Sequence, residues 1–361
     1  MLEQLWKKIV RRKPYTLWDF PAFLLWILSF VYRLGFWLRR MMAGTSVKVS
    51  TPLISIGNIS VGGSGKTPMV AFLTEDLMDM GVRVGIVSSG YGRSDSKPFI
   101  APGYKVQQMD VSVTSDEVML LAHRLPDAIF SVNSIKTIAA QNLAESGQVD
   151  AIIVDDGFQH HRLARDIDLV TYDAGLKKRW LKPFPYGLLR ESLKALGRAD
   201  MIVITRAKFA LDINAIKRDL RKLNPRAHIY YAAFEAHNLI GHDRQWPIKY
   251  MEDKSVYLFA GVGNFGSLKR QVSALAGDLD YAFELSDHQA YDPTLLEKIK
   301  TDAARYDSDL ILTTFKDWVK LSDFDFGREF YYLDLVVDLN PGEEKLIAEI
   351  MRQLKLKEKS T

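Results

Sequence analysis

Residues 52–68 read PLISIGNISVGGSGKTP. Leu53, Ile54 and Ile56 form the apolar body of a short buried strand that ends at Gly57. Gly62, Gly63 and Gly65, with Ser64 among them, let the backbone curl with its N–H groups turned inward. Lys66 and Thr67 then open a helix, whose N-terminal dipole adds to those amides. A loop of this kind cradles phosphates. Lys66 reaches the β- and γ-phosphates of a nucleotide, and the Thr67 hydroxyl suits Mg²⁺. Pro68 fits the first helical turn, where no N–H bond is lost. Ser60 stands where the usual pattern has Gly, so the strand–loop–helix context carries the reading. The plain alternative is a glycine-rich turn.

Outward from this loop, a length of 361 residues suggests two domains, and 47% hydrophobic residues supply their cores. The absence of Cys excludes disulfides, Fe–S clusters, cysteine nucleophiles and Cys-ligated zinc, and agrees with a reducing compartment. A net charge of +4 is too small to imply nucleic acid, and no basic aromatic repeat or helix-turn-helix pattern stands out. No nucleic-acid partner and no obligate protein partner are expected.

The charge is uneven. Residues 1–40 hold eight cations (Lys7, Lys8, Arg11, Arg12, Lys13, Arg33, Arg39 and Arg40) against Glu3 and Asp19. Between them lies FPAFLLWILSFVY, thirteen uncharged residues at 20–32. That is short of the roughly 20 needed to span hydrocarbon. Trp18, Trp26, Tyr32, Phe36 and Trp37 are interfacial anchors, and the cations face anionic lipid. The expectation is shallow membrane insertion; the plain alternative is a helix packed on its own domain.

Continuous apolar strands alternate with helical segments: 82–89, 128–132, 151–154, 168–172 and 201–205 read as strands, Asp116–Arg124 and Lys136–Glu145 as helices. This predicts an α/β fold with a mostly parallel sheet and helices on both faces, with ligands at the carboxyl ends of the strands. Residues 41–235 form this phosphate-loop domain. Residues 236–254 are polar and turn-rich and read as a linker. Residues 255–361 supply further strands and a final amphipathic helix, a smaller α/β domain closing the cleft.

Asp155 and Asp156 end a strand in IIVDDGFQHHR, where a second acidic motif belongs beside Mg²⁺ and the γ-phosphate. The plain alternative is that they cap the next helix. Gln159 follows within a turn and can hold metal-bound water or phosphate oxygen. Asp116 opens a helix in TSDEVMLLAHR; it is a helix cap or the base for an acceptor hydroxyl. His288, in LSDHQAYD, can orient Asp116 or be an ordinary surface or core imidazole. In SSGYGR (88–93), Tyr91 can pack a sugar or base. In GLLRE (187–191), Arg190 suits phosphate and Glu191 suits Mg²⁺, or the two are a solvated pair. TTFKD (313–317) offers a nucleotide-base contact or ordinary turn capping.

Together GNISVGGSGKTP, SSGYGR, SDEVMLLAHR, VDDGFQHHRLARDIDLV, GLLRE, AGVGNFGSLKR, SDHQAY and TTFKDWVKL resemble the tetraacyldisaccharide 4'-kinase family across most of the chain. DDGFQH at this separation from GKTP is the most specific part. The resemblance implies a P-loop NTPase-like fold, with ATP and Mg²⁺ as cofactors. It implies transfer of the γ-phosphoryl group to the 4'-hydroxyl of a tetraacylated glucosamine disaccharide 1-phosphate, a lipid A precursor. It implies a peripheral or monotopic place on the cytoplasmic face of the bacterial inner membrane. By the family pattern Asp116 is the base and His288 its partner; Lys66 and Thr67 handle phosphate and metal. Asp155, Asp156, Gln159 and Glu191 surround the metal, and Tyr91 and Arg190 fall in the cleft. Ser89, Lys136, Leu188 and Phe315 depart from the pattern, where Arg, Arg, Pro and Glu are usual. A membrane-associated phosphate-loop NTPase acting as a switch or in transport is the alternative function, with a non-enzymatic scaffold behind it.

Overall fold

The computed structural model describes residues 2–12, 16–42, 44–263, 265–286, 289–321, 323–339 and 341–356. Helices α1 (Leu2–Arg11) and α2 (Asp19–Met41) precede the sheet. Strand β1 (Leu53–Asn58) leads through the glycine loop into α3 (Lys66–Asp79). Next come β2 (Val84–Ser88), β3 (Phe99–Pro102), the single turns α4 (Gly103–Val106) and α5 (Val111–Thr114), and α6 (Asp116–Arg124). They are followed by β4 (Ile129–Val132), α7 (Lys136–Glu145), β5 (Ala151–Asp155), β6 (Ile167–Asp173), β7 (Met201–Thr205), α8 (Ile213–Leu223) and the long β8 (His228–Ile240). The remainder is β9 (Gln245–Pro247), β10 (Ser255–Ala260), α9 (Phe265–Ser273), β11 (Asp278–Glu284), α10 (Pro293–Arg305), β12 (Leu310–Thr313), α11 (Phe315–Trp318), β13 (Glu329–Asp338) and α12 (Glu343–Leu354).

The strands form one sheet in the order β11-β10-β12-β13-β8-β7-β6-β1-β5-β2-β4-β3, with β9 paired to β8. Pairing is parallel except for β3 on β4, β9 on β8 and β13 on β8. The alternation of side chains explains the layers. Ile54 and Ile56 join Met69, Leu73 and Leu77 of α3 on one face, whereas Leu53 joins Ala139, Ala140 and Leu143 of α7 on the other. The second parallel array repeats this. Val256 and Leu258 pack on Leu268 and Val272 of α9, and Tyr257 and Phe259 on Ile299 and Ala303 of α10.

Two sequence expectations change. Residues 236–254, read as linker, hold the end of β8, the β9 hairpin and a 3₁₀ turn at Ile248–Met251. Strand β8 itself makes the join: His228–Ala232 pair with β7, and Ala233–Ile240 pair with β13. Backbone hydrogen bonding continues where sequence polarity suggested a break. Helix α12, read as part of the smaller domain, belongs to the first core. Its Leu346, Ile347, Ile350 and Leu354 are buried in the cluster that holds α3, because β13 carries the chain back to the first array.

Candidate active site

Strand β1 is buried throughout and lies between β5 and β6, so Gly57 is delivered to the carboxyl edge of the sheet beside Asp155. There a cleft of about 1760 Å³ opens, lined by Gly62, Gly63, Ser64, Gly65, Lys66, Thr67 and groups from both parallel arrays. Gly65 sits at φ +84, and the Phe234 ring lies 2.0 Å from where a Cβ would stand. Both facts demand glycine. Ser64 is fixed from behind: Asn58 Nδ2 donates to its Oγ at 2.6 Å, Thr171 Oγ1 lies at 2.9 Å, and Thr205 Oγ1 donates to its carbonyl at 3.2 Å. Asn58 falls within GNISVGGSGKTP, but Thr171 and Thr205 lie outside the quoted motifs; only the packed sheet reveals that all three hold Ser64.

Lys66, Asp156 and Arg190 converge. Lys66 Nζ is 3.6 Å from Asp156 Oδ1, and Arg190 Nη1 donates to both oxygens of Asp156 at 3.0 and 2.7 Å. Asp156 takes φ +50, a left-handed conformation that Asp tolerates. Burial pushes its carboxyl upward, but Lys66, Arg190 and Lys136 together hold it well below the usual carboxylate range. Asp155 is buried and faces the cleft, and its Oδ1 has no hydrogen-bond partner. Burial pushes its pKa up, against Lys136. Lys136, one of the family departures, is almost fully buried and donates to the carbonyl oxygens of Asp155 at 2.5 Å and Asp156 at 2.9 Å. Burial lowers its pKa, and the two aspartates partly offset that. Its ammonium fixes the strand end that presents both acids.

Gln159 and Glu191 lie outside the cleft lining. Gln159 donates to the Asn58 carbonyl at 2.7 Å and to Glu191 at 3.3 Å, and Arg198 grips both Glu191 oxygens at 3.1 Å. Gln159 is joined to Glu191, and Glu191 to Arg198, whose planar guanidinium satisfies the carboxylate. Among the described residues no group of three His, Asp or Glu side chains could hold a metal ion. Tyr91 lines the cleft and is exposed, on a turn whose Gly90 and Gly92 have positive φ. Ser89 also lines it, and Leu188 is buried with its carbonyl accepting from Val61 at 2.7 Å. His288 lies outside the described residues.

Asp116 is buried at the start of α6, between cleft-lining Ser115 and Glu117. Its Oδ2 is 2.9 Å from Lys320 Nζ, and Glu117 Oε1 is 2.5 Å from Lys316 Nζ. Lys316 and Lys320 are four residues apart and face one way; that spacing was the available signal for them. In TTFKD, Thr314, Phe315 and Lys316 line the cleft, while buried Asp317 accepts from Gly261 N at 3.0 Å, Thr314 Oγ1 at 2.8 Å and Tyr291 Oη at 2.7 Å. Phe315 packs with Met119 and Trp318 across the two arrays, so the lost carboxylate has become an apolar contact.

Helix α2 docks by a narrow stripe. Ala22, Leu25, Ser29, Tyr32 and Phe36 are its covered positions, at three- and four-residue spacing. Tyr32 Oη donates to the Arg190 carbonyl at 3.2 Å and its ring meets Phe184. The rest of the helix is exposed, with Phe20 at 73% and Val31 at 64%. It is the one helix among the described residues long and apolar enough to cross a membrane.

The family model for tetraacyldisaccharide-1-P 4'-kinases matches residues 21–355. The chain belongs to that family. The tetraacyldisaccharide 4'-kinase of Halothermothrix orenii is 31% identical, across 91% of this chain and 90% of its own length. That of Syntrophotalea carbinolica is 34% identical across 93% and 94%. Among solved structures, LpxK from Aquifex aeolicus, crystallised in complex with ATP, is 27% identical with a TM-score of 0.71, covering 92% of this chain and 99% of that one. The family member described here is a phosphotransferase: an ATP-dependent kinase for the 4' position of a tetraacylated disaccharide 1-phosphate.

Proposed function

We propose that the cleft binds ATP on the loop Gly62–Thr67 and transfers its γ-phosphoryl group to a lipid A disaccharide precursor presented at the membrane. The observation that carries this reading is the meeting of Lys66, Asp156 and Arg190 at the loop, with α2 held against the carbonyl of Arg190. The loop amides and Lys66 hold the β- and γ-phosphates, where negative charge spreads in the transition state. Tyr91 covers the nucleoside, and Arg190 adds charge at the phosphates once ATP competes for it.

A magnesium ion fits the donors. Asp155 supplies a buried carboxylate oxygen without a hydrogen-bond partner, Asp156 a second carboxylate, and Thr67 a hydroxyl. Bound there, Mg²⁺ would supply positive charge to offset the charge of the transferring phosphoryl group. Gln159 and Glu191 support this edge from below. Asp116 accepts the proton of the acceptor hydroxyl as its oxygen bonds to the γ-phosphorus; the bridging bond to the β-phosphate breaks and ADP leaves. His288 is its partner by the family pattern. The second array closes over the cleft.

For the membrane, exposed Phe20, Phe23, Ile27, Val31 and Leu34 enter the interface of the cytoplasmic leaflet, and the cations near both ends of α2 stay at the headgroups. Basic residues flanking both ends favour lying in the plane over crossing, since neither end is marked for translocation. The test is a labelled-ATP assay with purified lipid acceptor and mass analysis of the product. Phosphate on the acceptor 4'-oxygen is expected; phosphate released only to water would replace the kinase with an NTPase.

A further inference from the structure

We propose that Lys320 is a positioning residue that keeps Asp116 ionised and aimed for proton acceptance, and that it does so only while α11 is seated on α6. The proposal rests on the reading of Asp116 as the base. Lys320 Nζ lies 2.9 Å from Asp116 Oδ2, and both side chains are largely covered, Asp116 to within 8% of full burial.

Asp116 sits among other acids. Glu117 is its neighbour, held by Lys316 at 2.5 Å. Asp317 is buried and hydrogen-bonded to Tyr291, and the Tyr291 hydroxyl is raised by burial first, then by Asp317, and also by the charge of Asp116. Asp116 and Glu117 are thus adjacent acids that each meet one lysine. Covered carboxylates among like charges take up protons, and a protonated Asp116 accepts nothing from an acceptor hydroxyl. The Lys320 ammonium opposes that.

The lysine comes from the other parallel array. Its segment is anchored by an apolar contact, Phe315 and Trp318 against Met119, and by the Phe315 ring 5.3 Å from His123. The ionised, oriented base is therefore a property of the seated arrangement. The same segment also fixes Tyr291, three residues from position 288, through Asp317.

The experiment measures kcat and kcat/KM against pH for the full-length enzyme and four variants. These are Lys320→Met, Lys320→Arg, Lys316→Met and Asp116→Asn, with nucleotide affinity and thermal unfolding measured alongside. Lys320→Met is expected to lower kcat at pH 7 about 10- to 100-fold, with ATP affinity within about twofold, and to move the acid limb of the profile up by about one pH unit. Lys320→Arg, which keeps the charge, should restore most of the rate and the original limb. Lys316→Met removes a parallel ion pair from the same interface and should leave the limb in place. An unmoved limb in Lys320→Met, or an equal shift in Lys316→Met, overturns the proposal. Should Lys320→Met fail to fold, Lys320→Gln takes its place with the same expected limb. Near-normal turnover of Asp116→Asn overturns the base assignment itself, and the proposal with it. Loss of turnover there beside an unmoved limb in Lys320→Met overturns the positioning role alone.

Discussion

In the proposed reading, Lys66 carries charge to the transferring phosphates. Its Nζ lies 3.6 Å from Asp156 Oδ1. Lys66→Met should lower kcat by about 10² to 10³, the usual cost of losing one preorganised charge at a transition state. Single-turnover kinetics with a check of thermal unfolding measures it, and near-normal turnover in a folded variant refutes the assignment. Gly65 gives a second expectation. A methyl group there meets the Phe234 ring and forces an L-residue to φ +84. Gly65→Ala should therefore lose nucleotide binding by titration calorimetry, whereas Gly63, with open space around its Cβ position, should accept Ala with far less loss. Equal losses at the two positions would remove the steric argument.

Among the elements, α2 serves two surfaces. The stripe through Ala22, Ser29 and Tyr32 meets the protein, and the remaining turns are uncovered. Each half-exposed Leu, Ile, Phe or Trp leaves roughly 1 kcal/mol of burial unused in water. Replacing Phe23, Ile27 and Leu34 together by Ser should abolish recovery on anionic vesicles and leave thermal unfolding nearly unchanged. Turnover of detergent-dispersed acceptor should persist. Unchanged vesicle recovery would rule out the exposed face as the membrane contact. Substitutions on the covered stripe, such as Ala22→Trp, should instead lower stability, because that face has no room.

Over the whole molecule, half-buried titratable groups set opposing pH dependences. Burial, then Lys136, lowers His160 to about 4, and burial, then Arg198, lowers His161 to about 4. The unfolded chain protonates these near 6.5, so stability is full above that value and falls as pH drops from 6.5 toward 4. Asp76 behaves oppositely. Burial, then Glu343, Asp79 and Glu75, raises it to about 7. The fold keeps that proton while the unfolded chain releases it near 4, so stability falls as pH rises from 4 to 7. Asp76→Asn should raise Tm most above pH 7 and little at pH 4; His160→Gln should flatten the acid side. Calorimetry across pH 4–8 measures both, and an Asp76→Asn effect independent of pH would contradict the assignment.

The phosphate loop and the strand ending at Asp155 were legible in the sequence because each is a local pattern. A buried apolar strand, a glycine turn and a helix start lie within seventeen residues, 52–68. The basic, aromatic α2 was legible for the same reason. What lies far apart along the chain was not. Strand β8 looked like a strand running into a linker, since its solvent-facing residues are polar; pairing with β13 keeps it a strand through Ile240. The amphipathic pattern of α12 announced a helix but not which core would bury it. Lys320 opposite Asp116, 204 residues away, and the Asn58–Ser64–Thr171 network depend on packing between elements. Local periodicity determines where strands and helices form. Which charges meet, and which carboxylates lose water, is decided only when the sheet brings distant segments together, because burial and Coulomb energy depend on distance in space.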